Sequence, residues 1–311
     1  MSRLSDVVQT LRSQPGYALM RGVARFSSVR GLVGQSRRLL QGGRLRAHLA
    51  DCEARMASSL FPGVDRARMV RQLRDDGLAL GLRLPEAVTA EIYAYAKQAP
   101  CFADRNPAQG FAVANHARAQ AALGKPLLLA QYFNAAQECA VVGRLMADPL
   151  LQWVAGSYLE SMPTFVGANL WWTFPVDALE QDRDRHAHLF HRDVDDFSFF
   201  KFFFYLTDVQ PGDGGHVCVV ASHRRPPLMR PGDQWNLRRY TDAEIDRSYA
   251  PERIVEISGP AGTGFAENTL CVHKGRTPTG QARLLLQLQY ALFDYGVMHD
   301  RWEASALRML A

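Results

Sequence analysis

Paired cysteines are lacking. Cys52, Cys101, Cys139, Cys218 and Cys271 are odd in number and widely separated, and no C-x-x-C occurs among them. This excludes a disulfide framework and the usual zinc motifs, and leaves five small apolar core residues in a reducing compartment. Long apolar runs are lacking too. Nothing approaches the roughly 18 residues of a membrane span, and MSRLSDVVQTLRSQPG at the front holds no apolar stretch of a secretory signal. A cytoplasmic protein is expected. Acidic residues are nearly absent from the first 50 positions, which set nine Arg against Asp6 alone, a charge of +8. Residues 51–311 sum to −3, so the overall +5 describes only the front. A slightly acidic body without a binding motif argues against a nucleic-acid partner. A peripheral contact of residues 1–50 with a membrane surface or an acidic partner stays open. Gly22 and Gly31 weaken a helix there, and Arg30 falls about 180° around a helix from Arg21.

What is present suits a soluble globular chain of 311 residues, with 47% apolar and 22% charged side chains. Its texture changes near residue 163. Residues 1–64 read as a basic helical extension of short helices, broken by Gly31, Gly34, Gly42 and Gly43. From residue 65, ARMVRQLRDDG is helical, GLALGLRL alternates like a strand, and PEAVTAEIYAYAKQA is a helix with Pro85 in its first turn. Residues 100–125 read as irregular. LLLAQYFNAAQECAVVGRLMA and DPLLQWVAGSYLES read as further helices, which makes residues 65–162 mainly α. Beyond them, FVGANLWWTF, FSFFKFFFYLTDV, HVCVVAS, RIVEISG, TLCVHKG and RLLLQLQYALF are β-branched or aromatic runs separated by PGDGG, GPAGTG and TPTGQ turns. The expectation is an α+β chain whose mainly β core, a jelly roll over residues 163–293, is flanked by helices in one domain spanning 65–311.

One H-x-D occurs, His191-Arg192-Asp193, and no H-x-E. Composition alone produces about 0.6 such matches, so the triplet says little by itself. Its setting says more. Two residues apart on an extended segment, both side chains share a face. A strong β run follows, and His273 lies 82 residues on in TLCVHKG. Two imidazoles and one carboxylate on one face of an octahedron leave three open positions, the arrangement of non-haem Fe(II) oxygenases. Ten residues after His273, Arg283 opens RLLLQLQY. If it points inward, so do Leu285, Gln287 and Gln289. A cation inside an apolar barrel is costly unless an anion meets it, and a guanidinium suits the far carboxylate of 2-oxoglutarate.

With these residues in view, the chain resembles the phytanoyl-CoA hydroxylase family of Fe(II)/2-oxoglutarate-dependent dioxygenases. The matching stretches are LRDDGLALGLRLPEAV, DPLLQWVAGSYLES, HRDVDD, YLTDVQPGDGGHVCVVASHRRP and HKGRTPTGQARLLLQLQYAL, in order over about residues 70–292. The resemblance implies a double-stranded β-helix of the cupin-like kind, with His191, Asp193 and His273 as iron ligands and catalytic centre, and Arg283 as the 2-oxoglutarate anchor. It also implies Fe(II), 2-oxoglutarate and O2 as cofactor and cosubstrates, and hydroxylation of an unactivated C–H in a small organic substrate with release of succinate and CO2. Two departures touch this: Val220-Ala221-Ser222-His223 replaces the family's Pro-Gly-Ser-His, and Gly275 stands where Ser or Thr is frequent. Asp193 is the carboxylate that related halogenases lack, which disfavours halogenation. Alternatives are a hydroxylase of a membrane-linked sugar, a protein or a nucleic acid, and a metal-binding module without catalysis.

Other candidates are weighed against bland roles. His186 and His188 are extra ligands or, more simply, exposed loop residues. Lys201 shares a strand face with Phe203 and Tyr205. It and Phe203 are candidate cofactor-binding residues, with solvent at the outer face the other place for the lysine. Asn169, Trp171 and Thr173 lie on one face of their strand and Trp172 and Phe174 on the other, and one set should line the pocket. His216 and His223 flank a turn, the latter at a position the family uses structurally. Arg224, Arg225 and Arg276 are pocket-edge anion contacts or solvated charge.

Overall fold

Residues 14–224, 237–297 and 300–310 are described by the computed structural model. Its frame follows from side-chain alternation on three long strands, β5 (Thr164–Thr173), β6 (Phe199–Tyr205) and β11 (Arg283–Ala291). Every residue of β6 and β11 is buried, so both faces are covered. Phe200, Phe202 and Phe204, with Leu284, Leu286, Leu288, Ala168, Leu170 and Trp172, point to a core shared with the helices. The alternate residues, Lys201, Phe203, Arg283, Leu285, Gln287, Gln289, Asn169 and Trp171, face a cavity. A period of two thus sorts apolar from mixed residues.

The remaining strands are β1 (Leu78–Arg83), β2 (Pro100–Ala103), β3 (Gly110–Ala112), β4 (Leu129–Tyr132), β7 (His216–Val219), β8 (Ile254–Ile257), β9 (Thr263–Glu267) and β10 (His273–Gly275). One antiparallel sheet runs β1-β9-β6-β11-β5-β4-β2-β3 and a second runs β10-β7-β8. Phe203, Tyr205, Phe265 and Leu285 of the first pack with Cys218 and Ile257 of the second, so the sheets stack face to face. This is the expected jelly-roll core with flanking helices.

The helices are α1 (Pro15–Val23), α2 (Ser27–Ala54), α3 (Arg66–Asp75), α4 (Glu86–Gln98), α5 (His116–Leu123), α6 (Ala135–Glu138), α7 (Ala140–Met146), α8 (Pro149–Leu159), α9 (Glu180–Arg185) and α10 (Asp242–Ser248). The expected glycine breaks at 31, 34, 42 and 43 do not occur, because α2 runs through all four. Each helical glycine costs about 1 kcal/mol against alanine, but tertiary contacts hold the helix. Leu45 and Leu49 cross α8 at Gly156, where an added Cβ would come within 3.1 Å and 3.2 Å of their methyls. Gln41 Oε1 accepts from Ser161 Oγ at 2.8 Å, and Arg37 donates to the Leu292 carbonyl at 2.9 Å. The break falls at residues 24–26 instead, where the Arg30 guanidinium takes the carbonyls of Ala24 and Arg25.

Three further expectations are corrected. Residues 129–132, read as helix, form β4 between β2 and β5, since a short apolar run does not separate strand from buried helix. Residues 100–125, read as irregular, contain β2, β3 and α5. Strand β9, which begins at the Thr263-Gly264 expected in the GPAGTG turn and was not expected as a strand, pairs with β1 and β6. Its Gly264 is required by the neighbour: a Cβ there would lie 2.5 Å from Phe204 Cδ1. No described helix is long and apolar enough to cross a membrane, and all five cysteines are buried and unpaired.

Candidate metal centre and its pocket

His191 and Asp193 lie on the segment between α9 and β6, which runs antiparallel beside the start of β10. His191 and His273 exchange both backbone hydrogen bonds at 2.9 Å, and Asp193 N donates to the Thr269 carbonyl at 2.8 Å. His273 therefore opens β10. Alternation turns Arg192 away, and its Nε donates to the Leu270 carbonyl. The result brings His191 Nε2 to 3.5 Å from Asp193 Oδ1 and His273 Nε2 to 3.6 Å from Asp193 Oδ2. One ligand atom from each of the three side chains lies within 4.8 Å of the others.

The donor set suits a divalent metal. His191 Nδ1 faces the Leu189 carbonyl and His273 Nδ1 the Cys271 carbonyl, both at 2.9 Å. A carbonyl only accepts, so Nδ1 carries the proton and Nε2 presents its lone pair to the space enclosed by the three side chains. Burial, and then the neighbouring His273, hold His191 well below the ordinary histidine range, in the neutral form that ligates. Burial alone would raise Asp193, but Lys201 and the two histidines outweigh it and keep the carboxylate ionised. Lys201 does not reach solvent. Its ammonium donates to Asp193 Oδ2 at 2.6 Å and meets Asp195 Oδ2 at 3.1 Å. That holds one carboxylate oxygen and orients the other.

These groups border a cavity of about 280 Å³. Arg283 reaches it from the start of β11 and is 4% exposed. Nη1 donates to the Gly214 carbonyl and Nη2 to Thr173 Oγ1 at 3.2 Å, while Nε has no partner. No ion pair to this guanidinium occurs among the described residues. Gly275 leaves its flank open, since a Cβ there would stand 3.4 Å from Nη2. Leu285, Gln287 and Gln289 follow Arg283 inward, and of the two β5 faces it is Asn169 and Trp171 that line the cavity. Phe203 also lines it and stacks on Phe265 at 5.0 Å.

His186 and His188, expected on an exposed loop, are buried at 4% and 7%. Neither joins the triad. His186 Nε2 pairs with Asp104 Oδ1 at 3.1 Å, and His188 Nδ1 with Thr277 Oγ1 at 2.7 Å. His216 is locked to Glu267 at 2.5 Å, and His223 bridges Cys271 and the Arg74 carbonyl. Arg224 and Arg276 form ion pairs with Asp75 and Glu256 and do not line the cavity, and Arg225 lies outside the described residues. Sequence reasoning missed Tyr17, Arg105, Gln131 and Tyr295, all of which line the cavity. No motif marks them.

No family model matches the chain, and no curated protein matches it. Among solved structures, HygX from Streptomyces hygroscopicus, crystallised with nickel, 2-oxoglutarate and hygromycin B, is similar. The two are 15% identical over 77% of this chain and 93% of that one, with a TM-score of 0.50. The shared feature is the fold. The non-heme alpha ketoglutarate dependent epimerase SnoN from nogalamycin biosynthesis is 17% identical over 79% of this chain and 94% of that one, with a TM-score of 0.49. AviO1 from Streptomyces viridochromogenes Tue57 is 16% identical over 73% and 95%, with a TM-score of 0.47.

Proposed function

We propose that the chain is an Fe(II)- and 2-oxoglutarate-dependent dioxygenase that hydroxylates an unactivated C–H of a small organic molecule, releasing succinate and CO2. The carrying observation is the pairing, in one cavity, of the His191–Asp193–His273 cluster with the buried guanidinium of Arg283. A module that only stored metal would have no use for that unpaired cation. The membership that the sequence motifs suggest, in the phytanoyl-CoA hydroxylase family, agrees with this reading.

Iron held by His191, Asp193 and His273 would supply oxygen activation driven by decarboxylation of 2-oxoglutarate. The chain's own residues do the rest. Arg283 receives the far carboxylate of the cosubstrate and so fixes its direction in the pocket. Lys201 keeps Asp193 ionised and aimed, a supporting role where a direct cosubstrate contact was expected. Phe203, Trp171 and Leu285 exclude water from the target carbon. Gln131, Asn169, Gln287 and Gln289 offer amide donors and acceptors that orient polar groups of the substrate.

An anaerobic titration tests the proposal. Fe(II) with 2-oxoglutarate gives a weak visible charge-transfer band in the intact protein, and His191→Ala or Arg283→Ala removes it. Absence of the band with iron demonstrably bound would reject the assignment.

For location, the reading favours contact with an anionic membrane surface. Leu19, Leu32, Leu39 and Leu40 are 66–85% exposed on α1 and α2, and residues 14–50 hold seven Arg and no acid. Exposed leucines flanked by guanidinium groups suit the headgroup boundary. Sedimentation with phosphatidylglycerol vesicles, but not phosphatidylcholine vesicles, is expected, weakened by salt and by L39S/L40S. A stable dimer in solution that buries these leucines would overturn it.

A further inference from the structure

Three cationic side chains border the cavity: Arg105, Lys201 and Arg283. Lys201 is neutralised by Asp193 and Asp195. Arg283 is taken, under the proposed function, by the far carboxylate of 2-oxoglutarate. Arg105 is left over. Its side chain forms no ion pair or hydrogen bond among the described residues, and its Nε is closed off from solvent without a partner. The adjacent Asp104 attracts it through space but makes no contact with it, because Asp104 Oδ1 is held by His186 Nε2 at 3.1 Å and Oδ2 by Lys125 Nζ at 2.6 Å.

The backbone imposes this division. Asp104 and Arg105 form the turn between β2 and β3 with φ of 50° and 62°, a left-handed conformation that residues other than glycine adopt only under constraint. Asp104 N is tied to the Leu129 carbonyl at 3.0 Å and Asn106 N to the Ala103 carbonyl at 2.8 Å. The turn sends Asp104 to the lysine and histidine and Arg105 to the cavity. Uncharged His188 lies near both pocket guanidinium groups. Burial, then Arg283, hold it well below the ordinary range, with Arg105 adding to the effect.

Arg105 is half-buried, and a bordering guanidinium with no acid in contact needs an anion or water to complete its hydrogen bonds. The cosubstrate has two carboxylates. One is assigned to Arg283 and the other lies at the metal end, so neither remains for Arg105. We infer that Arg105 is a second anion-binding position of the pocket, and that the molecule oxidised there carries a carboxylate or a phosphate group. The inference rests on the proposed function in giving Arg283 to the cosubstrate.

The test uses the full chain loaded with Mn(II) and saturated with N-oxalylglycine, an unreactive analogue of 2-oxoglutarate. Phenylacetate, phenyl phosphate and uncharged phenylacetamide are then titrated by calorimetry. At least one anion is expected to bind about tenfold more tightly than the amide, the difference one charge-assisted contact supplies, and the tighter of the two identifies the group. Arg105→Met removes the preference, Arg105→Lys restores part of it, and neither changes N-oxalylglycine affinity more than about twofold. The inference is overturned if the native protein shows no anion preference, or if Arg105→Met keeps it. It is also overturned if Arg105→Met lowers N-oxalylglycine affinity, which would assign the residue to the cosubstrate. Failure of N-oxalylglycine to bind the native protein rejects the proposed function separately, and the anion preference is then read on the Mn(II) form alone.

Discussion

Replacing Arg283 with Met removes the cation that the proposed function gives to the cosubstrate, and the structure gives the size of the effect. The guanidinium is buried, with a free Nε and an open flank at Gly275. A carboxylate docking there makes two charge-assisted hydrogen bonds of about 1.5–3 kcal/mol each. Their loss costs about 4 kcal/mol, roughly a thousandfold in affinity. Without ligand, the variant loses donors to the Gly214 carbonyl and Thr173 Oγ1 but also sheds a buried charge that burial already destabilises. These effects oppose each other, so the resting stability should change by no more than about 1–2 kcal/mol. Ligand linkage then separates the roles. At 2-oxoglutarate a hundredfold above its dissociation constant, the Mn(II)-loaded native protein gains about 2.7 kcal/mol, and the variant at the same concentration gains almost nothing. Anaerobic thermal unfolding reads this as an upward shift of about 4 °C in the native protein that vanishes in the variant. Arg283→Lys, a point charge without the fork, should keep part of the shift. A full ligand shift in Arg283→Met would refute the reasoning. So would collapse of the unliganded variant, which would make Arg283 a structural prop for the Gly214 turn.

Gly264→Ala should destabilise the protein by about 3 kcal/mol in urea unfolding, because the new methyl meets the Phe204 ring at 2.5 Å and Leu82 Cβ at 3.0 Å; a neutral result would mean β9 is misplaced. Gly156→Val should cost about 1–3 kcal/mol by wedging α2 from α8, with metal binding unchanged. For Asp104, burial raises the acid but hydrogen bonds from His186 and Lys125 pull it below its ordinary value of 3.8. Its contribution is therefore fully present above that value and is lost as pH falls through the lower folded value. Asp104→Asn should cost about 1–3 kcal/mol at pH 7, and the gap to the native protein should close in strong acid. Deleting residues 1–26 should lower the melting temperature by exposing Val166, Phe199 and Ala291, against which Met20 and Ala24 pack; an unchanged melting curve would show that α1 does not dock.

The chemistry of the site was legible where it depended on short-range alternation. A spacing of two from His191 to Asp193, and of two between successive inward residues from Arg283 to Gln289, puts side chains on one face of any extended chain, so the inward set could be named before the partner strands were known. Pairing was not legible. Strand β4 reads as helix because Leu127–Ala130 lacks a period, and only its place between β2 and β5 makes it a strand. The α2 glycines mark a break by local propensity, yet the crossing at Gly156 overrides them. The polarity of Lys201 left two destinations open. Asp195, two residues beyond the candidate ligand Asp193, decides between them, but only once the loop before β6 folds the acids over the lysine. His186 looked exposed for the same reason: its partner, Asp104, is 82 residues away.

The basic front enters this argument differently from its composition. Its charge is spread over α2, but among the described residues its contact with the site is a single ring: Tyr17 of α1 borders the cavity, 5.9 Å from Tyr295 near the other end of the chain. Burial and then Asp195 push its phenol up to about 12, so it faces the pocket as a neutral hydroxyl beside the Lys201 cluster. The cavity is therefore built in two layers with different sources. The candidate ligands and Arg283 come from β10, β11 and the segment bridged to β10 by reciprocal backbone hydrogen bonds, where a one-residue slip would turn every inward group outward. The rest of the wall, beyond the strand amides of Gln131, Asn169, Gln287 and Gln289, comes from α1, the β2–β3 turn and the segment after β11. Sequence change can alter the second layer without disturbing the first. The barrel can thus resemble HygX in fold at 15% identity while Tyr17, Arg105 and Tyr295 line this pocket from outside the sheets.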